Sequence, residues 1–155
     1  MGRGDYINTA KWLEKMLNDS CDYGWQLKAK LNLGIIYRSF LNRKKEALSL
    51  LESVPNFALA KLITGIMYFN GEDVACDTIK GLSLVEEAMV TIITEKGNDD
   101  FLAAHECFEI SEVFFKSGKK EKTREYLLKT IARCNVNHKS YQEIKLMAEE
   151  KLKQL

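Results

Sequence analysis

A nine-residue stretch of this chain occurs twice. Ala29-Lys30-Leu31-Asn32-Leu33-Gly34-Ile35-Ile36-Tyr37 returns as Ala60-Lys61-Leu62-Ile63-Thr64-Gly65-Ile66-Met67-Tyr68, with six of the nine positions identical at a spacing of 31. Downstream, Leu48-Ser49-Leu50-Leu51-Glu52 returns as Leu82-Ser83-Leu84-Val85-Glu86 at a spacing of 34, so the second copy carries three more residues between its matched segments. Periods of this size belong to stacked helical hairpins, in which no unit buries its apolar face alone. The residue types agree with that reading. On a helix, Ala29, Gly34 and Tyr37 form a small-small-large group, as do Ala60, Gly65 and Tyr68. Small residues let a partner helix approach, and the tyrosine fills the adjoining gap. A glycine inside a helix costs about 1 kcal/mol relative to alanine, so its presence at one site in both copies points to close packing. Leu48 and Leu51, then Leu82 and Val85, face the first helix of each copy.

A third, weaker copy follows. Ile110-Ser111 stands for the Leu-Gly pair and Phe114 for the tyrosine; Gly118 stops the first helix, and Glu121 to Cys134 supplies the second, with Tyr126, Leu127 and Ile131 as apolar contacts. Both flanks are helical. Tyr6, Ala10, Leu13, Met16 and Leu17 share one face at the start; Tyr141, Ile144, Ala148, Leu152 and Leu155 form an apolar seam at the end, with Glu149, Glu150, Lys151 and Lys153 on its wet side. The flanks read as caps that hide the apolar ends of the stack. The expected fold is all-α, an α-α superhelix (solenoid) of about three helix hairpins with a capping helix at each end. A single domain over 1–155 divides into a cap at 1–22, hairpins at 23–57, 58–97 and 98–136, and a cap at 137–155. That gives seven helices, with room for an eighth at the C-terminus. Asp99 or Asp100 is placed to cap the first helix of the third hairpin.

These residues resemble the tetratricopeptide repeat, whose pattern runs W-x2-L-G-x2-Y and then A-x3-F. The second copy is similar to the Sel-one-like relative, A-x4-G-x2-Y-x2-G-x2-V-x2-D-x2-K, at Ala60, Gly65, Tyr68, Gly71, Val74, Asp77 and Lys80, then Ala88. It departs at Thr64 (a usual leucine), Asp73 (a frequent glycine) and Gly81 (a usual alanine). The resemblance covers roughly Gln26 to Cys134. It implies a right-handed stack with a concave protein-binding face, in families that are mostly scaffolds and adaptors rather than enzymes. It also implies a groove lined by Lys28, Leu31, Ile35 and Arg38, then Leu62, Ile66 and Phe69, then His105, Phe108, Glu112 and Phe115. Two occupants compete for that groove: an amphipathic helix or short apolar peptide from a partner, or a terminal helix of this same chain, since a bare apolar groove is a liability. The two-lysine, two-asparagine clamp with which some of these repeats grip chaperone tails lacks its central residues, which are Ile35 and Ile66 here.

Composition excludes other classes. Lys plus Arg is 23 against 22 Asp plus Glu, without the basic excess of a nucleic-acid binder; the basic run Lys116 to Lys122 reads as a solvated loop. No stretch approaches the roughly 20 apolar residues of a membrane span, and the start has neither a signal-peptide region nor a myristoylation pattern. A cytosolic or nuclear location is expected, which makes Asn18-Asp19-Ser20 and Arg3-Gly4-Asp5 chance matches to glycosylation and integrin motifs. Cys21, Cys76, Cys107 and Cys134 are too scattered for a zinc or redox motif and read as buried reduced thiols. His105 and Cys107 lie two apart on a helix and do not share a face; His138 has no evident partner. No phosphate-loop, dinucleotide or zinc-protease motif occurs, so neither a cofactor nor a metal is expected. The leading expectation is a non-enzymatic adaptor or scaffold that binds a protein. The alternatives are an organelle-membrane adaptor, similar to the cytosolic part of the mitochondrial fission adaptor but without its anchor, and a non-catalytic subunit of an enzyme complex.

Overall fold

The structure is a computed structural model, and it describes residues 3–19, 22–134 and 139–155. The described secondary structure consists of helices: α1 (Arg3–Asp19), α2 (Tyr23–Ser39), α3 (Lys44–Glu52), α4 (Ala58–Asn70), α5 (Thr78–Lys96), α6 (Ala104–Lys116), α7 (Lys120–Arg133) and α8 (Lys139–Leu152). The chain is all-α, and neighbouring helices pack pairwise, an arrangement consistent with an α-α superhelix. Among the described residues no helix is long and apolar enough to cross a membrane. The helices gather into two compact units, Met1–Thr91 and Ile92–Leu155, divided within α5.

In the first unit α1 packs on α2, α2 on α3 and α3 on α4. The repeated glycines explain how closely the rods approach. A Cβ on Gly34 would lie 2.8 Å from Leu51 Cγ and 3.4 Å from the carbonyl of Ala47 on α3. A Cβ on Gly65 would lie 2.9 Å from the carbonyl of Gly81 and the amide of Val85 on α5. Gly81 is tighter still, with Phe69 N at 2.5 Å and Gly65 O at 2.7 Å from the place of a Cβ. Backbone therefore rests on backbone between α4 and the start of α5, and the departure from alanine at Gly81 has a steric cause.

The repeated tyrosines sit alike. Tyr37 donates to Glu14 of α1 and lies under the Arg43 guanidinium at 3.8 Å. Tyr68 donates to Glu52 of α3 at 2.6 Å and lies under Lys80 at 3.5 Å. α1 thus stands to α2 as α3 stands to α4. Burial, then the Glu14 hydrogen bond, pushes the Tyr37 hydroxyl up to about 12. Tyr6 stacks on Phe40 with ring centroids 3.7 Å apart, which pins α1 over the end of α2. Asp22 caps α2 by accepting from Trp25 N at 3.0 Å, Asp77 caps α5 by accepting from Lys80 N at 2.9 Å, and Gly71 ends α4 at φ +67.

In the second unit α8 packs on both α6 and α7. Asp99, expected as a helix cap, is instead a buried clasp. It accepts from the Tyr126 hydroxyl at 3.0 Å, from Lys129 Nζ at 2.7 Å and from Arg133 Nη2 at 3.0 Å, all on α7. Asp100 does not cap either; its carboxylate lies 3.3 Å from Arg133. The start of α6 is served by Glu106, which reaches back to accept from Ala103 N at 2.6 Å. Burial alone would raise the Asp99 carboxyl, but three donors outweigh it and hold the carboxyl below its usual range. The thiols are not uniformly buried: Cys107 is, while Cys134 is half-buried and Cys76 exposed. Cys21 and His138 lie outside the described residues.

Candidate functional site

The residues assigned to a groove fall into three environments. In the first unit, Lys28 is exposed and stands 5.2 Å from the ring centre of Trp25, while Leu31 and Ile35 are half-buried against the core. Arg38 is committed within the chain. Its Nη2 and Nε donate to the two carboxylate oxygens of Glu72 at 2.7 and 3.1 Å, with both side chains largely buried. Burial would raise the Glu72 carboxyl, yet the fork of Arg38, with Lys44 at 3.5 Å, holds it low. This pair ties α2 to the turn after α4 and is a structural strut, which corrects the assignment of Arg38 to a binding surface.

The middle set is likewise corrected. Leu62 and Ile66 are 0% exposed and Phe69 only 6%. A partner could not reach these side chains without unpacking them, so they are core residues in this fold. Burial of a leucine or isoleucine stabilises by about 1.5–3 kcal/mol, which makes such unpacking costly.

The third set lies on α6. His105 is exposed at its start, Phe108 and Glu112 are half-buried, and Phe115 is 39% exposed. This face is met by α8. Lys151 of α8 pairs with Glu112, and its ammonium stands 4.6 Å over the ring of Phe115. One cation thereby spans a carboxylate and an aromatic face one turn apart on α6. Ala148, one turn earlier on α8, is 0% exposed. Tyr141, Ile144, Leu152 and Leu155 of the apolar seam are half-buried, and Leu146 and Met147 face outward. The seam therefore docks on the chain's own helices. Lys151, placed by periodicity on the wet side, belongs to the contact. Only its spacing from Ala148 hinted at this, and spacing alone does not tell the flank of a seam from its outer face.

The remaining named residues hold the fold. Ala29 and Ala60 are buried at helix contacts beside Gly34 and Gly65, and Tyr37, Tyr68, Gly71 and Asp77 have the roles given above. Cys107 accepts from Arg133 Nη1, while His105 points elsewhere, so the two form no pair. Among the described residues no group of three His, Cys, Asp or Glu side chains is placed to hold a metal. Comparison with family models, with curated proteins and with solved structures finds no match for this chain.

Proposed function

We propose that this chain is a protein-binding adaptor of tetratricopeptide-like construction, and that the α6 face bearing Phe108, Glu112 and Phe115 takes an amphipathic helix. One observation carries the reading: an amphipathic helix, α8, already packs on α6, with Lys151 on Glu112 and over the ring of Phe115. The features that hold α8 are those of helix-in-groove recognition, an apolar seam docked by small and branched residues with a cation at its edge. The Lys151–Glu112 pair is partly solvated, with side chains 19% and 25% exposed, so it adds register more than strength. A seat of this kind is strong enough to hold a tethered helix at high effective concentration and weak enough to yield to a better partner.

Affinity capture from the source cell tests this with four proteins: the natural chain, Lys151→Glu, the swap Lys151→Glu with Glu112→Lys, and Phe115→Glu. Partner recovery is expected to rise when Lys151→Glu repels α8 from Glu112 and to return to the starting level in the swap. Phe115→Glu is expected to abolish it. Equal recovery of the same partners by all four folded proteins would contradict the reading.

A further inference from the structure

We propose that the cavity between α3, α4 and α5 binds a small apolar carboxylate, with its acid group on Lys80 and its body against Leu51, Pro55 and Leu84. The cavity measures about 230 Å³ and is completed by Glu52, Lys61 and Thr64. An apolar cavity of about 150 Å³ is enough to take benzene, so a ring with a short acid arm fits this one.

The cavity has a cause in the sequence. Thr64 occupies the register of Leu33, 31 residues on, and both are buried, at 6% and 2% exposed. The second copy has thus lost a leucine's volume at a core position and gained a hydroxyl. That hydroxyl has no partner: Thr64 Oγ1 is the one buried side-chain oxygen or nitrogen without a hydrogen bond among the described residues. The contrast with other buried hydroxyls is direct. Ser111, Thr123 and Thr130 each donate to a backbone carbonyl of their own helix or turn, at 2.6, 2.9 and 2.8 Å. An unsatisfied buried hydroxyl where the sister copy has leucine is a cost the fold does not need. Thr64 lines the cavity, and a turn about χ1 is the move that would bring its hydroxyl to a ligand oxygen.

The rim offers a cation for the acid group. Lys61 is held by Glu87 at 2.6 Å, and Glu52 accepts from Tyr68 at 2.6 Å. Among the described residues Lys80 has no carboxylate partner; its ammonium rests over the Tyr68 ring. Of the two rim cations it is therefore the one open to a ligand's acid group. Leu51, Pro55 and Leu84 contribute apolar side chains to the lining, which favours an apolar body.

The test uses the full chain and two probes of one shape, phenylacetate and the neutral phenylacetamide, followed by amide NMR titration. Phenylacetate is expected to shift the Glu52, Thr64 and Leu84 amides saturably, and phenylacetamide to bind at least about tenfold more weakly. Lys80→Gln, at an exposed position, is expected to bring the two probes to parity. Thr64→Leu, which restores the residue of the first copy, is expected to abolish both. No saturable shift below about 10 mM, equal binding of acid and amide by the natural chain, or unchanged phenylacetate binding in Lys80→Gln would each overturn the proposal. If Thr64→Leu does not fold, Lys80→Gln decides alone.

Discussion

Thr64 and Gly81 are two of the three departures from the repeat pattern, and each has a measurable consequence. Replacing Thr64 by valine keeps its shape and removes the orphan hydroxyl, so urea unfolding is expected to show a gain of about 1 kcal/mol; a loss would mean that the hydroxyl is satisfied in solution. Gly81→Ala forces a Cβ against Phe69 N and Gly65 O, which are backbone and cannot step aside. Overpacking of this kind costs about 1–3 kcal/mol, and a loss of about 2 kcal/mol is expected at Gly81. At Gly34 the close neighbour is the flexible Leu51 side chain, and alanine's helix preference returns about 1 kcal/mol. Gly34→Ala should therefore be near neutral in the same assay. Gly34 and Gly65 were legible because a costly residue recurs at one register. Gly81 was not, because its cause is a backbone approach from α4 that no local pattern carries. Arg38 was misread for a similar reason: its partner Glu72 lies 34 residues away, and spacing within a helix says nothing about a turn beyond the next one.

Among the elements, α7 and the turn before α6 are joined by the Asp99 clasp, which makes the second unit sensitive to acid. The Asp99 carboxyl is held below its ordinary value of 3.8 in the fold. A carboxyl depressed on folding contributes stability above its unfolded value and loses it as pH falls through the folded one. The natural chain should therefore be fully stabilised by Asp99 at neutral pH and lose that contribution below about pH 4. Asp99→Asn removes the negative charge that Lys129 and Arg133 share. A loss of about 2–3 kcal/mol is expected at pH 7, with a flatter decline of stability on acidification. Equal pH profiles for the two proteins in denaturant titrations would refute the role. The helices themselves were largely legible, including the seam of α8, because apolar periodicity survives without knowledge of neighbours. The clasp was not. An aspartate before a helix matches a cap, and only the fold reveals three donors from α7, at 27 to 34 residues' distance along the chain.

At the scale of the whole molecule, the repeat signal led to an all-helical fold whose packed pairs accord with an α-α superhelix, and the groove inferred from family likeness divided by environment. Its middle residues are core, Arg38 is a strut, and the α6 portion is occupied by α8. Sequence could name the two possible occupants of that portion but not choose between them, because the choice depends on whether chain length and turn geometry bring α8 back onto α6. An occupied seat lowers the apparent affinity for a partner by the fraction of time it is open, so the account turns on whether α8 can be replaced. Ala148→Glu puts a charge into the fully buried point of the α8 contact and should lift α8 while α1 to α7 stay folded. The deciding measurement is fluorescence anisotropy of a labelled peptide of residues 139–155 added to the full chain with and without Ala148→Glu. The account predicts saturable binding to the variant and at least about tenfold weaker binding to the natural chain. A folded variant that leaves the peptide free, or equal binding to both proteins, would contradict it.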